Sequence, residues 1–460
     1  MQEDKNINTI GQDFTIFSLI KYTLPPILAA LFRSLLSTID DTLFISRYCG
    51  EYALGAFSLF IPLLMFINSI VTMLGASAIK CSMLMGEGKN DDANKTFTSI
   101  TIITLCFGLF FSLILGLFGK EIMIVLGATD ILLPYIMDYI DVFFKFVPLF
   151  CLNGLLSRFY AVAGKPKLSV VSTVLSVICN FLFDWLFIVK MKYGISGAAY
   201  ANLLSDLSCV TLAFFVFTNN KSEIHLTKPS KAFGSTFLEI CKLGIPDSVS
   251  FLAYGISGVI ANYMLLYFGS EDYVSAYAVT DNMFMLFANS FYGLFGSTSP
   301  IISYAYGEKN STKLVKTFYQ IAIILTGLTT AATAICILFR NQILGIYLAD
   351  YENLNIVNLA HYGMKIVPWS FLIYGYNLMV QEYAIAVGNT KVSTKLTILE
   401  NLVFINITTV VLPIIFGVKY IWFNFLSAEL LTLCFSIIEI YKNRNNYGYG
   451  KEHKASFIDD

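Results

Sequence analysis

Two acidic and two amide side chains lie in apolar parts of the sequence, where a charge is unfavourable. Asp41 falls in the run STIDDTLFIS, and Asp184 falls in SVICNFLFDWLFIV together with Asn180. A spacing of four residues places Asn180 and Asp184 on one face of a helix. Asn202 follows in the next apolar run. Carboxylates and amide oxygens can bind a proton or a hard cation such as Na⁺, so these four residues are candidates for a cation-binding site.

A purely structural role is the alternative for each of the four residues. Asp41 could cap a helix or pair near the outer interface, Asp184 could pair with Arg158, and the amides could bond between helices. An ionisable residue inside a membrane segment is a functional candidate by default, which favours function for the two acids. The two asparagines are explained equally well by either role.

The composition is typical of a polytopic membrane protein. The 460 residues are 56% apolar and 13% charged, whereas soluble proteins carry about 25% charged residues. The net charge of −1 gives no indication of a nucleic-acid partner. The nine cysteines have no metal-ligand spacing. We therefore expect membrane lipids as the surroundings and no cofactor other than a coupling ion.

Apolar segments of about 20 residues, each able to cross a hydrocarbon core of roughly 30 Å as a helix, occur twelve times. They cover residues 15–45, 53–79, 96–118, 135–160, 169–190, 196–218, 239–268, 274–303, 317–339, 361–386, 393–416 and 420–441. The alternation with period two that marks a β-barrel is absent. The sequence predicts an all-α polytopic membrane protein with twelve transmembrane helices.

The second half of the chain repeats the first in a register that is held through the first two spans and the loop after them and drifts slightly later. MGEGKNDDANKTF at 85–97 corresponds to YGEKNSTKLVKTF at 306–318. Each copy holds six spans, an even number, so both copies have one orientation and a pseudo-two-fold axis runs along the membrane normal. Parallel repeats of this kind are typical of transporters. The predicted parts are an N-terminal lobe at 1–218, a cytoplasmic linker at 219–238, a C-terminal lobe at 239–441 and a tail at 442–460.

The basic residues predict the orientation. Connections after even-numbered spans hold most of the lysines, for example Lys80, Lys89 and Lys95 in the first such loop, whereas the alternate loops hold few. The positive-inside rule then places both termini in the cytoplasm of a multi-pass protein of the bacterial cytoplasmic membrane.

Several stretches together resemble the multidrug and toxic compound extrusion (MATE) transporters over essentially the whole chain. They are the proline near the start of span one, IDDTLFISRYCGEYALGAF, the repeated loop motif, RFYAVAGKPKLS and NFLFDWLFI. The resemblance implies a monomeric antiporter, not an enzyme, that exports amphipathic, often cationic compounds by alternating access. It also implies a site for H⁺ or Na⁺ in the N-terminal lobe at Asp41, Asn180 and Asp184, with Asn202 where the family commonly has Thr.

Some members of the family use acids of spans seven and ten instead. Here those places hold Asn262, which corresponds to Asp41 in the repeat, and a segment whose only acid is Glu382. A cation route through the C-terminal lobe is therefore disfavoured. The aromatic neighbours Phe181, Phe183 and Trp185 of Asp184 suggest dry surroundings, which favours H⁺ over Na⁺.

Two further groups of residues are expected to serve transport. Pro25 and Pro26 interrupt helix hydrogen bonding early in span one, so they are a candidate hinge. The substrate cavity should be aromatic and rich in methionine, and its candidates are Met65, Phe66, Phe287 and Tyr374. Plain packing of the helices is the alternative for these four residues.

Three other functions compete with antiport. A flippase for lipid-linked oligosaccharides shares the architecture but should carry a basic cavity, whereas the charges near the midplane here are mainly acidic. An intramembrane aspartyl protease needs a GxGD segment, which the sequence lacks. A channel with a ring of acids needs a symmetry that the two halves do not have.

Overall fold

A computed structural model describes residues 9–37, 44–45, 48–49, 51–126, 128–219, 222–230, 234–348 and 354–444. These residues are almost wholly helical, and no strand occurs among them. Asp41 lies outside the described residues, so its position in a cation site stays a prediction from the sequence.

The described helices follow one another with short connections. In chain order they are α1 (Ile16–Ser37), α2 (Glu51–Gly75), α3 (Ser77–Gly86), α4 (Asn90–Val125), α5 (Leu133–Phe143), α6 (Val147–Val162), α7 (Pro166–Asp184), α8 (Ile195–Phe217), α9 (Gly234–Phe268), α10 (Glu271–Gly307), α11 (Ser311–Leu338), α12 (Arg340–Leu348), α13 (Leu354–Gly363), α14 (Phe371–Ala386), α15 (Thr390–Ile398), α16 (Ile405–Phe416) and α17 (Asn424–Lys442). π-helical turns at Trp185–Lys190 and Leu399–Phe404 extend α7 and join α15 to α16.

The prediction of an all-α membrane protein is confirmed. Within the described ranges, nine helical segments are long and apolar enough to cross a membrane, and the bent pair α5 and α6 makes a tenth. The remaining two predicted spans coincide with α10 and with α14 and the short helices before it. The protein is therefore a multi-pass membrane protein, and each predicted span overlaps a described helix.

Spans four and ten differ from the single helices predicted over 135–160 and 361–386. The fourth span bends by 63° between α5 and α6, and the tenth passes through a 3₁₀ turn at Val367–Ser370. Pro148 and Pro368 stand at the start of the new segments. Proline cannot bond to the preceding turn and clashes with it, so each helix stops and restarts there.

The backbone reproduces the repeat found in the sequence. Helix α4 begins at Asn90 and α11 begins at Ser311, and these two positions correspond in the register of the repeat. The turns after the fourth and tenth spans share a glycine with positive φ, at Gly164 (67°) and Gly388 (80°). A left-handed conformation of this kind favours glycine because it has no Cβ.

The chain separates into two compact units. The first contains the described residues of Met1–Gln12 and Tyr22–Gly244, and the second those of Asp13–Lys21 and Ile245–Asp460. Helix α1 therefore begins in the second unit and continues in the first. The predicted lobe boundaries stay a prediction.

The described part of the predicted linker is attached to the first unit. The backbone amides of His225 and Thr227 donate to Asn94 Oδ1 at 3.0 Å and to Thr98 Oγ1 at 2.9 Å. These acceptors lie in the first turns of α4. The linker, which leaves the sixth span at the end of α8, is thus hydrogen-bonded to the N-terminal part of the third span.

Candidate functional site

The first unit contains a polar stripe along α7. Ser172, Ser176, Asn180 and Asp184 follow one another at intervals of four residues, which places them on one face of the helix. Ser176 Oγ lies 2.8 Å from Ser205 Oγ on α8. The stripe faces α8 and ends at the acid.

Asn180 and Asn202 are brought together at the next step of this stripe. Asn180 Nδ2 donates to Asn202 Oδ1 at 3.2 Å, and Asn202 Nδ2 donates to the carbonyl oxygen of Ala198 at 3.2 Å. Asn180 is 4% exposed. Two of the predicted site residues are therefore in direct contact, on the two helices that the sequence indicated.

Asp184 lies at the last residue of α7 and is completely buried, at 0% exposure. The π-helical turn Trp185–Lys190 follows it directly, and such turns often occur at functional sites. Arg158, its predicted structural partner, packs its side chain against Gly75 of α2.

Two of the aromatic neighbours of Asp184 lie on the outer surface of the span. Phe181 and Trp185 are 50% and 43% exposed, and the indole ring of Trp185 lies 4.7 Å from Lys190 Nζ. Consecutive residues on a helix point about 100° apart, so neighbours in sequence need not enclose the acid. Both rings belong to a segment long and apolar enough to cross a membrane, where an exposed ring faces lipid. The dry surroundings of Asp184 stay a prediction.

A second acid in this unit escaped the sequence reasoning as a site residue. Asn153 Nδ2 on α6 donates to Asp206 Oδ1 on α8 at 2.8 Å. Asp206 follows Asn202 by four residues, which places both on one face of α8. This spacing is a sequence signal from which Asp206 could have been predicted as a site residue. The first unit thus holds two amide–oxygen contacts between neighbouring spans.

The four predicted cavity residues have different surroundings. In the first unit Met65 is half-buried and Phe66 is 44% exposed, with its ring 6.0 Å from that of Phe111. In the second unit Phe287 and Tyr374 are buried, at 8% and 7% exposure. Both pack within a cluster of aromatic rings there, so their role in binding substrate stays a prediction.

The two prolines of the predicted hinge lie inside α1, which continues as a helix across both. Tyr22 Oη donates to the carbonyl oxygen of Ala161 at 2.9 Å, which fixes the helix to α6 just before Pro25 and Pro26. The boundary between the two compact units falls within α1, between Lys21 and Tyr22, one turn before the prolines.

The profile of the MatE family matches the chain twice, at residues 25–186 and 246–412. The chain belongs to the MatE family. The two matches begin at corresponding positions of the repeat, and each lies within one copy. The polar stripe of α7 lies in the first MatE segment.

Relatives and solved structures share this MatE architecture along their whole length. Multidrug export protein MepA of Staphylococcus haemolyticus (strain JCSC1435) is 24% identical over 455 residues, which cover 97% of this chain and 98% of the relative. An outward-facing multidrug resistance MATE family transporter of the MOP superfamily has a TM-score of 0.87 at 20% identity, over 96% of this chain and 99% of that one.

A MOP superfamily transporter from Pyrococcus furiosus Vc1 is equally similar in fold. Its TM-score is 0.87 at 19% identity, over 97% of this chain and 99% of that one, and it is described as having a binding pocket of reverse polarity that suggests a different function. At these identities the solved structures establish the MatE fold of the chain.

Proposed function

We propose that the protein is a cation-coupled antiporter that exports amphipathic, often cationic compounds by alternating access. Membership of the MatE family and the names of its relatives, multidrug export proteins, support this function. The single observation that carries the coupling is the polar stripe of α7, which pairs Asn180 with Asn202 and ends at the buried Asp184.

The mechanism follows from the cost of a buried charge. A carboxylate removed from water is stabilised when it binds a cation, so the free and occupied forms of Asp184 favour different packings of the helices around it. A cation can shift that equilibrium only by its different affinity for the two packings. Binding of the cation from outside and release of the drug to the outside are coupled in this way.

Efflux from cells tests the proposed function. Cells that express the protein should export ethidium or norfloxacin faster than cells with an empty vector, and collapse of the driving gradient should abolish the difference. Equal accumulation in both strains, with the protein present in the membrane, would contradict export of such compounds.

The coupling ion is proposed to be H⁺, acting at Asp184 and Asp41. A proton carrier needs only the acids, whereas a Na⁺ site also needs the oxygen of Asn180. An Asn180→Ala variant should therefore keep its efflux rate within about fivefold of the wild type, since a neutral hydrogen bond contributes about 1 kcal/mol. The rate is measured as ethidium efflux from energised cells.

A matched variant controls for the loss of any buried amide. Asn406 is a half-buried residue of α16 in the second unit, and it donates to the carbonyl oxygen of Leu402, in the preceding π-helical turn, at 2.8 Å. Asn406→Ala should change the rate as little as Asn180→Ala. A much larger loss in Asn180→Ala that added Na⁺ restores would contradict proton coupling and indicate a Na⁺ site.

The orientation is proposed to place both termini in the cytoplasm. Lys228 and Lys309 are exposed and lie in the basic connections after spans six and eight. Cysteines introduced at these two positions, in a variant without the nine native cysteines, should react with an impermeant maleimide in inverted vesicles only. Labelling of either cysteine in intact cells would reverse the proposed orientation.

The proposed assembly is a monomer in the bacterial cytoplasmic membrane. The first unit alone provides the candidate cation residues Asn180, Asp184 and Asn202. A second copy is therefore not required to complete that site.

A further inference from the structure

The second unit buries two carboxyl groups that the proposed mechanism does not use. Glu400 lies in the π-helical turn Leu399–Phe404, and Glu429 lies in α17. Each is 4% exposed. They lie on the eleventh and twelfth spans. The two positions compared above, Asn262 and Glu382, lie on spans seven and ten.

Glu400 is bound by an amide whose orientation is fixed. Gln381 Nε2 on α14 donates to Glu400 Oε2 at 2.7 Å. Thr397 Oγ1 on α15 donates to the other end of this amide, Gln381 Oε1, also at 2.7 Å. The hydroxyl therefore keeps the NH₂ group of Gln381 directed at the carboxyl.

Glu429 is bound in the same manner one turn earlier on α14. Asn377 Nδ2 donates to Glu429 Oε2 at 2.8 Å and to the backbone oxygen of Glu429 at 2.9 Å. Ser436 Oγ donates to Asn377 Oδ1 at 2.9 Å. Each acid thus receives a hydrogen bond from a neutral amide and not from a cation.

A third buried acid nearby shows the difference. Glu439 on α17 is 7% exposed, and its carboxylate pairs with Lys395 Nζ at 2.7 Å. Among the described residues neither Glu400 nor Glu429 has such a partner. A buried carboxylate without a countercharge is neutralised by binding a proton. The amides that bind Glu400 and Glu429 are four residues apart on α14, which places the two acids on one face of that helix, and neighbouring acids favour neutralisation further. A neutral acid still accepts one hydrogen bond, so the amide contacts remain satisfied.

A buried hydroxyl provides an independent observation at this site. Ser393 Oγ has no hydrogen-bond partner in the described part of the chain, and the residue is 0% exposed. Ser393, Thr397 and Glu400 follow at intervals of four and three residues, so they lie on one face of the eleventh span. This face leads from the first turn of α15 to the acid, and the hydroxyl group of Ser393 is a buried polar atom on it whose hydrogen-bonding capacity is unused.

We propose that Glu400 and Glu429 form a proton-binding site in the second unit, reached along the face of Ser393 and Thr397. Protons bind the carboxyl oxygens that the amides leave without a donor. This site uses none of the residues of the first unit that are proposed to couple transport. Its existence therefore does not depend on the proposed function.

The other ionisable groups on the helices packed around the pair leave the two acids without a cation. Tyr292 and Tyr374 carry no positive charge, Asp247 is a further acid, and Glu382 accepts from Ser299 Oγ at 3.4 Å. Lys395 is already paired with Glu439. None of these groups supplies a positive charge that would keep Glu400 and Glu429 ionised.

A hydrophobic carbodiimide tests the proposal on the unmodified protein, because it reacts with protonated carboxyl groups inside the membrane. Purified protein in detergent is treated at neutral pH, and peptide mass spectrometry locates the label. We expect label on Glu400 or Glu429, decreasing as the pH rises, and none on the ion-paired Glu439. Absence of label from both acids would overturn the proposal, as would full protection by Na⁺ at constant pH.

Infrared spectroscopy gives a second measurement. The carbonyl stretch of a neutral carboxylic acid should be present at neutral pH and should weaken in Glu400→Gln and Glu429→Gln, while Glu439→Gln keeps it. Unchanged intensity in both folded variants would overturn the proposal. The same band and label should persist in Asp184→Asn, which separates a failure here from a failure of the proposed transport site.

Discussion

An Asp184→Asn variant should lose cation-coupled efflux almost completely while it still inserts in the membrane and binds drug. Asn has nearly the same shape but cannot change its charge when a cation arrives. The cation then has the same affinity for both packings of the helices, so it does not shift the equilibrium between them. A loss of about 2.7 kcal/mol in differential affinity lowers coupled efflux roughly a hundredfold. The measurement is ethidium efflux from energised cells, with drug binding measured on purified protein.

Two further variants show whether the loss belongs to the predicted site. Asp41→Asn should cause the same loss, because Asp41 is the second acid of the predicted cation site. Asn262→Ala, at the position that corresponds to Asp41 in the other copy, should leave efflux nearly unchanged. Equal losses in Asp41→Asn and Asn262→Ala would contradict a coupling site confined to the first half of the chain.

Replacement of both prolines of α1 by alanine should slow efflux strongly without preventing drug binding. A proline inside a helix costs about 3 kcal/mol relative to alanine, largely through its missing hydrogen bond and its clash with the preceding turn. Alanine at Pro25 and Pro26 restores these bonds and stabilises the straight helix against bending. If about 1.4 kcal/mol of this difference enters the barrier, efflux slows about tenfold.

The corresponding proline of the second copy is the matched control. Pro246 lies inside α9 at the position that corresponds to Pro25 in the repeat. Pro246→Ala should change the efflux rate much less than the double variant of α1. A rate unaffected by loss of both Pro25 and Pro26 would remove the hinge from the mechanism.

The sequence predicted the helices and the repeat well, because long apolar segments in a membrane must satisfy their backbone groups internally and do so as helices. It did not predict where spans four and ten break. The length of an apolar segment does not show whether its helix is continuous. In the sequence, Pro148 and Pro368, where helices restart, look the same as Pro62, which lies inside the continuous helix α2.

The contact between Asn180 and Asn202 could have been predicted from the sequence. The two residues lie in consecutive spans, and polar residues recur every four positions along α7. The pair of Glu400 and Glu429 could not have been predicted in this way. Glu400 is the single acid of its span, and Glu429 shares its span with Glu439. Only the packing of α14 against both spans brings Gln381 and Asn377 to the carboxyls of Glu400 and Glu429.

Transport by purified protein in vesicles tests the central claim most directly. The vesicles contain wild type or Asp184→Asn in Na⁺-free buffer, and ethidium movement is followed after a pH gradient is imposed. We predict that the wild type moves ethidium against its gradient, that a protonophore stops it, and that Asp184→Asn does not respond. Transport that follows a Na⁺ gradient at constant pH, or an equal rate in Asp184→Asn, would contradict proton coupling at this site.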